Sequence, residues 1–86
     1  MSMIHQGLSL IIQRFPSERD RLRRLYLRDA AFQSLCDDYQ KCTEALEHWS
    51  GSNNDKASER TREYGELKQS LEREVEDHIR LQRFPH

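Results

Sequence analysis

The sequence has no glycine-rich loop, no long apolar stretch and no disulfide framework, the features that mark phosphate-binding, membrane-spanning and secreted proteins. Its three glycines are scattered at positions 7, 51 and 65, so they form no glycine-rich phosphate loop. The apolar stretch from Leu8 to Ile12 is far too short to cross a bilayer. Cys36 and Cys42 face different sides of one predicted helix and cannot bridge each other. Without a disulfide framework or a secretory signal, we expect a cytoplasmic protein.

The histidines and cysteines form no metal-binding or catalytic pattern. Neither C-x-x-C nor H-x-x-x-H occurs in the sequence. Cys36 precedes Asp37 and Asp38, whose negative charges oppose formation of a thiolate. We therefore expect no cofactor, no metal and no enzymatic activity, and we interpret both cysteines as small core residues.

The charge is close to balanced overall but unevenly placed. The formal net charge of -1 excludes the global basicity typical of proteins that wrap nucleic acid. Residues 14–28 contain six arginines and two acidic residues, whereas residues 29–77 contain thirteen acidic and six basic residues. Such a basic segment attracts either the acidic part of another copy or an acidic partner, although a solvated helix surface accounts for the same pattern. The candidate polyanion contacts are Arg19, Arg21, Arg23, Arg24 and Arg28.

Apolar residues recur at helical spacing along two arms of the chain. In the first arm four of them are each seven residues apart: Leu25, Phe32, Tyr39 and Leu46. The second arm repeats the pattern from Tyr64 to Leu81. A polar segment around Gly51, rich in Ser and Asn, separates the two arms. The pattern predicts an all-α fold built as an antiparallel, coiled-coil-like two-helix hairpin.

The predicted organisation is an N-terminal extension over 1–16, a hairpin over 17–83 and a frayed tail over 84–86. We expect helices over about 17–28, 30–49 and 57–82. Asp29 precedes Ala-Ala-Phe and suits a helix N-cap, so the first arm is predicted to be kinked or broken there. A continuous helix with Asp29 exposed is the alternative. The extension is predicted to be a short amphipathic helix or an ordered arm.

The returning arm is too short to cover the start of the first arm. Residues 17–49 span about 50 Å when helical, whereas residues 58–82 span only about 37 Å. Leu22 and Leu25 therefore need the N-terminal extension or another subunit to cover them. The candidate partner surface comprises Ile4, Leu8, Ile11, Ile12, Leu22, Leu25 and Tyr26. On this basis Leu25→Asp is predicted to disrupt association while leaving most of the helicity.

Part of the sequence resembles a known family. The residues that carry the resemblance are Phe15-Pro16, Arg19-Asp20, Leu22, Leu25, Phe32, Ser34-Leu35 and Asp37. They are similar to the YdcH-like proteins, small bacterial helical hairpins of unknown function, and Leu71 to Val75 resembles that family's Leu-x-x-Glu-hydrophobic stretch. The resemblance extends from about Phe15 to Leu81, but Ala30 stands where family members commonly have proline. It implies a bacterial, cytoplasmic α-hairpin and supplies no catalytic or ligand-binding residues.

These patterns predict a non-catalytic module for protein–protein interaction or oligomerisation. The expected partner is a second copy of the chain, giving a homo-oligomer, or another protein. The alternative function is weak binding of nucleic acid or another polyanion through the basic segment Arg19 to Arg28. No membrane span is expected.

Overall fold

The structure, a computed structural model, describes residues 5–83 without the side chain of Arg83. Within that range the chain forms four α-helices and no strand, which confirms the all-α prediction. The helices are α1 Gln6–Arg14, α2 Arg19–Arg28, α3 Ala30–Ser50 and α4 Ala57–Arg83, with a 3₁₀ turn over Pro16–Glu18. The predicted tail over 84–86 and the first four residues of the extension lie outside the described residues.

The break between α2 and α3 lies at Asp29, as the sequence predicts. Asp29 has an extended backbone, and its Oδ1 accepts hydrogen bonds from the N–H groups of Ala31 at 2.9 Å and Phe32 at 3.2 Å. These bonds satisfy two of the donors that a helix start leaves unpaired. The Asp29 N–H closes α2 by donating to the carbonyl of Leu25. One residue therefore ends one helix and begins the next.

Helices α3 and α4 run antiparallel, joined by the short loop after Ser50. Residues later in α3 contact residues earlier in α4, as they must in an antiparallel pair. Phe32 packs edge-on against the ring of His78, the Tyr39 hydroxyl donates to Glu72 at 2.8 Å, and the Cys42 thiol donates to the Tyr64 carbonyl. This hairpin is the most extensive helix pair in the described part of the chain. In the loop, the Asn54 side chain accepts from the N–H of Lys56.

Helix α1 crosses the hairpin and packs closely on α3. His5 caps α1 by accepting from the Gly7 N–H through Nδ1, while its Nε2 lies 2.6 Å from a carboxylate oxygen of Asp37. A Cβ at Gly7 would overlap the carbonyl oxygen of Cys36, so only glycine allows this separation of the two helices. At the other end of α1, Arg14 lies 3.5 Å from Glu72. The extension is therefore an integral helix of the fold.

The core lies where all four helices meet, which corrects the two-helix description. Its largest fully buried side chains come from every helix: Ile11, Leu22, Phe32, Cys36 and Val75. A two-helix hairpin would leave the first part of the long arm uncovered, and the chain solves this by folding α1 and α2 onto α3. Helix α2 starts at Arg19, two residues after the predicted start at 17, and it has no side-chain cap.

Candidate interaction surface

The candidate partner surface predicted from sequence is largely inside the molecule. Leu8, Ile11, Leu22 and Leu25 are buried in the core of a single chain. Ile12 and Tyr26 are partly buried and pack against that core, and Ile4 lies outside the described residues. The prediction that these residues form a surface for a partner is therefore wrong for the four buried ones, because α1 covers α2 within the same chain.

The predicted polyanion contacts all belong to α2, and four of the five are exposed. Arg21 turns back and donates to Glu18 at 2.7 Å, so it is already engaged. Among the described residues Arg19, Arg23, Arg24 and Arg28 have no ion pair. Leu27 lies among them and is 80% exposed, whereas Leu22 and Leu25 on the opposite side of α2 are buried. We call Leu27 with these four arginines the arginine face.

The α3–α4 hairpin has a second side that α1 does not cover. Cys36 and Gln40 of α3 face α1, whereas Asp38 and Cys42 point to the opposite side of that helix. There α3 and α4 form a shallow groove, open to solvent and lined only by residues of these two helices. Leu35, Cys42 and Leu71 form its apolar floor.

One edge of this groove is a row of three residues on α4. Leu67, Glu74 and Leu81 are seven residues apart and line the same side of the helix. The two leucines are 46% and 67% exposed, respectively. Together with Leu27 they are the exposed large apolar side chains of the described chain. Exposed leucines beside an apolar floor form a surface that can bind the apolar side of another helix.

The half of the groove near Leu81 is acidic. It is lined by Ala31, Ser34, Leu35 and Asp38 from α3 and by Glu74, Asp77, His78 and Leu81 from α4, so three carboxylates face it. Asp77 pairs with Arg80 at 3.1 Å. Asp38 and Glu74 form no ion pair with any residue in the range that the structure describes. We call these eight lining residues the acidic groove.

Sequence reasoning did not single out Leu27, and it assigned Leu67 and Leu81 to the packed stripe of the second arm. The signal for Leu27 is its position, five residues after Leu22 and two after Leu25, which places it on the other side of α2. The signal for the α4 pair is that Glu74 lies midway between them at the same helical position. A charged residue in that row indicates that the row is at the edge of the core.

Both cysteines are buried, and their thiols are protonated at neutral pH. Burial, and secondarily the negative charge of Asp37, raises the pKa of the Cys36 thiol to about 12. Burial also raises the pKa of Cys42, against the opposing effect of Lys68. The pKa of Tyr39 is raised by burial and by the hydrogen bond that its hydroxyl donates to Glu72. These groups hold their protons at neutral pH, which supports the interpretation of the cysteines as core residues.

The raised pKa values predict that alkali destabilises the fold. In the unfolded chain the thiols lose their protons at about pH 8.5 and the tyrosines at about pH 10, as free side chains do. The folded chain keeps the protons of Cys36, Tyr39 and Cys42 to higher pH. The stabilisation is thus complete below about pH 8 and is lost as the pH rises further. We expect the melting temperature, followed by circular dichroism, to fall between about pH 8 and pH 10.

The control for this prediction removes the titrating thiols. A variant with Cys36→Ala and Cys42→Ala will start from a lower stability, but its melting temperature will decline less over the same pH range. A melting temperature of the unchanged chain that is flat or rises from neutral to alkaline pH would contradict the raised pKa values.

Two features are absent from residues 5–83. No group of three or more His, Cys, Asp or Glu side chains within this range is arranged to hold a metal ion. None of the helices described is both long enough and apolar enough to cross a membrane.

Comparisons of the chain with protein-family models, curated proteins and solved structures gave no match. The resemblance to the YdcH-like proteins therefore stays a prediction. What the protein does has to be inferred from its own surface.

Proposed function

We propose that the protein is a non-catalytic interaction module that associates with another protein chain, or with its own kind, through the open side of the α3–α4 hairpin. The observation that carries this proposal is the row of Leu67 and Leu81, both exposed, beside the apolar floor of the groove. Burying the exposed part of each leucine in a complex would contribute about 1–2 kcal/mol, less than the value for a fully exposed leucine because both are already partly buried. The thiols, buried and protonated, are consistent with a role that needs no nucleophile.

A geometric feature supports a helix as the bound element. The groove runs along two antiparallel helices, and its edge repeats every seven residues, the spacing that matches a third helix laid beside them. On the other side of the hairpin, α1 packs mainly on α3. The open side is lined by α3 and α4 alone among residues 5–83.

The proposal is tested by measuring the molar mass of the chain by light scattering over a range of concentrations. We expect the mass to rise above the 10.3 kDa of one chain as concentration increases. Replacing Leu67 and Leu81 together by aspartate should keep the chain monomeric without changing its helicity, because both side chains are exposed.

The matched control replaces the same two leucines by methionine, which keeps the apolar area and should preserve association. A mass that stays at one chain at every concentration would remove the self-association form of the proposal. Association that survives both aspartates would remove this groove as its site.

Polyanion binding is the second candidate, favoured by the four α2 arginines that are exposed and without ion pairs. A chain that binds phosphates through them will bind single-stranded DNA with an affinity that falls steeply as salt rises. Fluorescence anisotropy of a labelled oligonucleotide measures this directly. Leu27, which is exposed among these arginines, favours a protein partner instead, because a phosphate backbone offers Leu27 no apolar contact.

A further inference from the structure

We infer that the acidic groove binds the arginine face of α2 from a second copy of this chain. The inference rests on the proposed function and names its partner. It follows from the chemistry of the two surfaces and from the way α2 is held in its own molecule.

The acidic groove requires a ligand that has an apolar centre and positive charge around it. Its apolar part is Leu81 with Ala31 and Leu35, and its free carboxylates are Asp38 and Glu74. A carboxylate that has no partner within the chain is stabilised by a cation brought close to it, and a ligand that shields the pair from water strengthens that attraction. The groove thus selects a helix that carries arginines beside a large aliphatic side chain.

The arginine face has this composition. Leu27 is its centre and is 80% exposed. Arg23 and Arg24 lie one turn before it on the same side of α2, so a helix placed with Leu27 against Leu81 brings both guanidinium groups to the groove. Asp20 is the acidic residue on this side of α2, and it lies at the far end from Leu27. Arginine suits the contact because its planar fork matches a carboxylate.

The two surfaces belong to different molecules in the complex. Helix α2 is fixed in its own core by Leu22 and Leu25, which point away from Leu27. Turning the arginine face into the groove of the same chain would expose both leucines. The opposite charges of α2 and of the hairpin therefore act between chains, where they also steer association and make it sensitive to salt.

The test uses charge reversal and mixing with the full chain. One variant carries Arg23→Glu and Arg24→Glu, and the other carries Asp38→Lys and Glu74→Lys. All four residues are exposed, so circular dichroism should show unchanged helicity. Each variant alone is expected to raise the dissociation constant of self-association by at least about tenfold. An equal mixture of the two should associate again, because each altered surface then meets its complement.

The control is a variant with Glu44→Lys and Glu47→Lys, which makes the same charge change at exposed positions of α3 outside the groove. It should associate like the unchanged chain. Sedimentation equilibrium in low salt and in about 0.5 M sodium chloride provides the measurement, and association should weaken in the higher salt.

The outcomes separate the inference from the proposed function. If the groove variant becomes monomeric while the α2 variant still self-associates, the groove is an interface but its occupant is another surface, and the inference is overturned alone. If the unchanged chain is monomeric at all concentrations, both the inference and the self-association form of the function fail. If the arginines bind single-stranded DNA and have no effect on molar mass, the arginine face is a polyanion site and the inference is overturned.

Discussion

Replacing Leu25 by aspartate is expected to remove most of the stability of the protein or to unfold it. Leu25 is only 3% exposed and belongs to the core that all four helices share. The substitution removes a buried apolar side chain and places a carboxyl group among apolar neighbours, which together cost about 4–5 kcal/mol. A domain of this size has roughly 5–15 kcal/mol of stability in total. Circular dichroism should show loss of most helical signal or a melting temperature lowered by tens of degrees, about 4–8 °C for each kcal/mol.

The matched control is Leu27→Asp, two residues further along the same helix. Leu27 is 80% exposed, so the same change of side chain should leave helicity and melting temperature nearly unchanged. In a self-associating chain it should weaken the complex instead. If Leu25→Asp folded like the unchanged chain, the position of α1 over α2 would be incorrect.

This expectation reverses the one drawn from sequence, and the reason is physical. Helix lengths indicate that α4 alone does not cover Leu22 and Leu25, and in the structure α2 contacts α1 more extensively than it contacts α4. Periodicity reports which side of a helix is apolar, but it does not report whether the covering side chains come from the same chain or another. The structure supplies Leu8 and Ile11 of α1 as that cover. A chain without residues 1–14 would consequently expose its own core.

Other features could be predicted because they depend on local chemistry. The N-cap at Asp29 follows from a short acidic side chain before Ala-Ala-Phe, and the loop near Gly51 follows from residues that favour turns. The α3–α4 pairing follows from spacing in both arms and a short connection. The groove could not be predicted in the same way, because Leu67 and Leu81 differ in exposure from Leu71 only through where α3 lies beside α4.

The close contact between α1 and α3 predicts a loss of stability when Gly7 is replaced. Replacing Gly7 by alanine is expected to lower the free energy of unfolding by about 1–3 kcal/mol, because the new Cβ overlaps the backbone carbonyl of Cys36. Backbone on α3 cannot move aside as the end of a flexible side chain can, so α1 itself has to shift and loosen Leu8 and Ile11. Alanine's better helix propensity, about 1 kcal/mol, offsets part of this cost. Urea denaturation followed by circular dichroism measures the difference.

The chain contains its own control in Gly65, inside α4. A Cβ at Gly65 meets no atom within 4 Å beyond its neighbours and its own helix backbone, so Gly65→Ala should raise the stability by about 0.5–1 kcal/mol. The same substitution in two helices thus has opposite signs, because the α3 backbone lies against Gly7 whereas a Cβ at Gly65 has open space. Stabilisation by Gly7→Ala of the size expected at Gly65 would show that α1 does not approach Cys36 in solution. Destabilisation at Gly7 together with stabilisation at Gly65 would place α1 on α3, where it covers the core of a single chain.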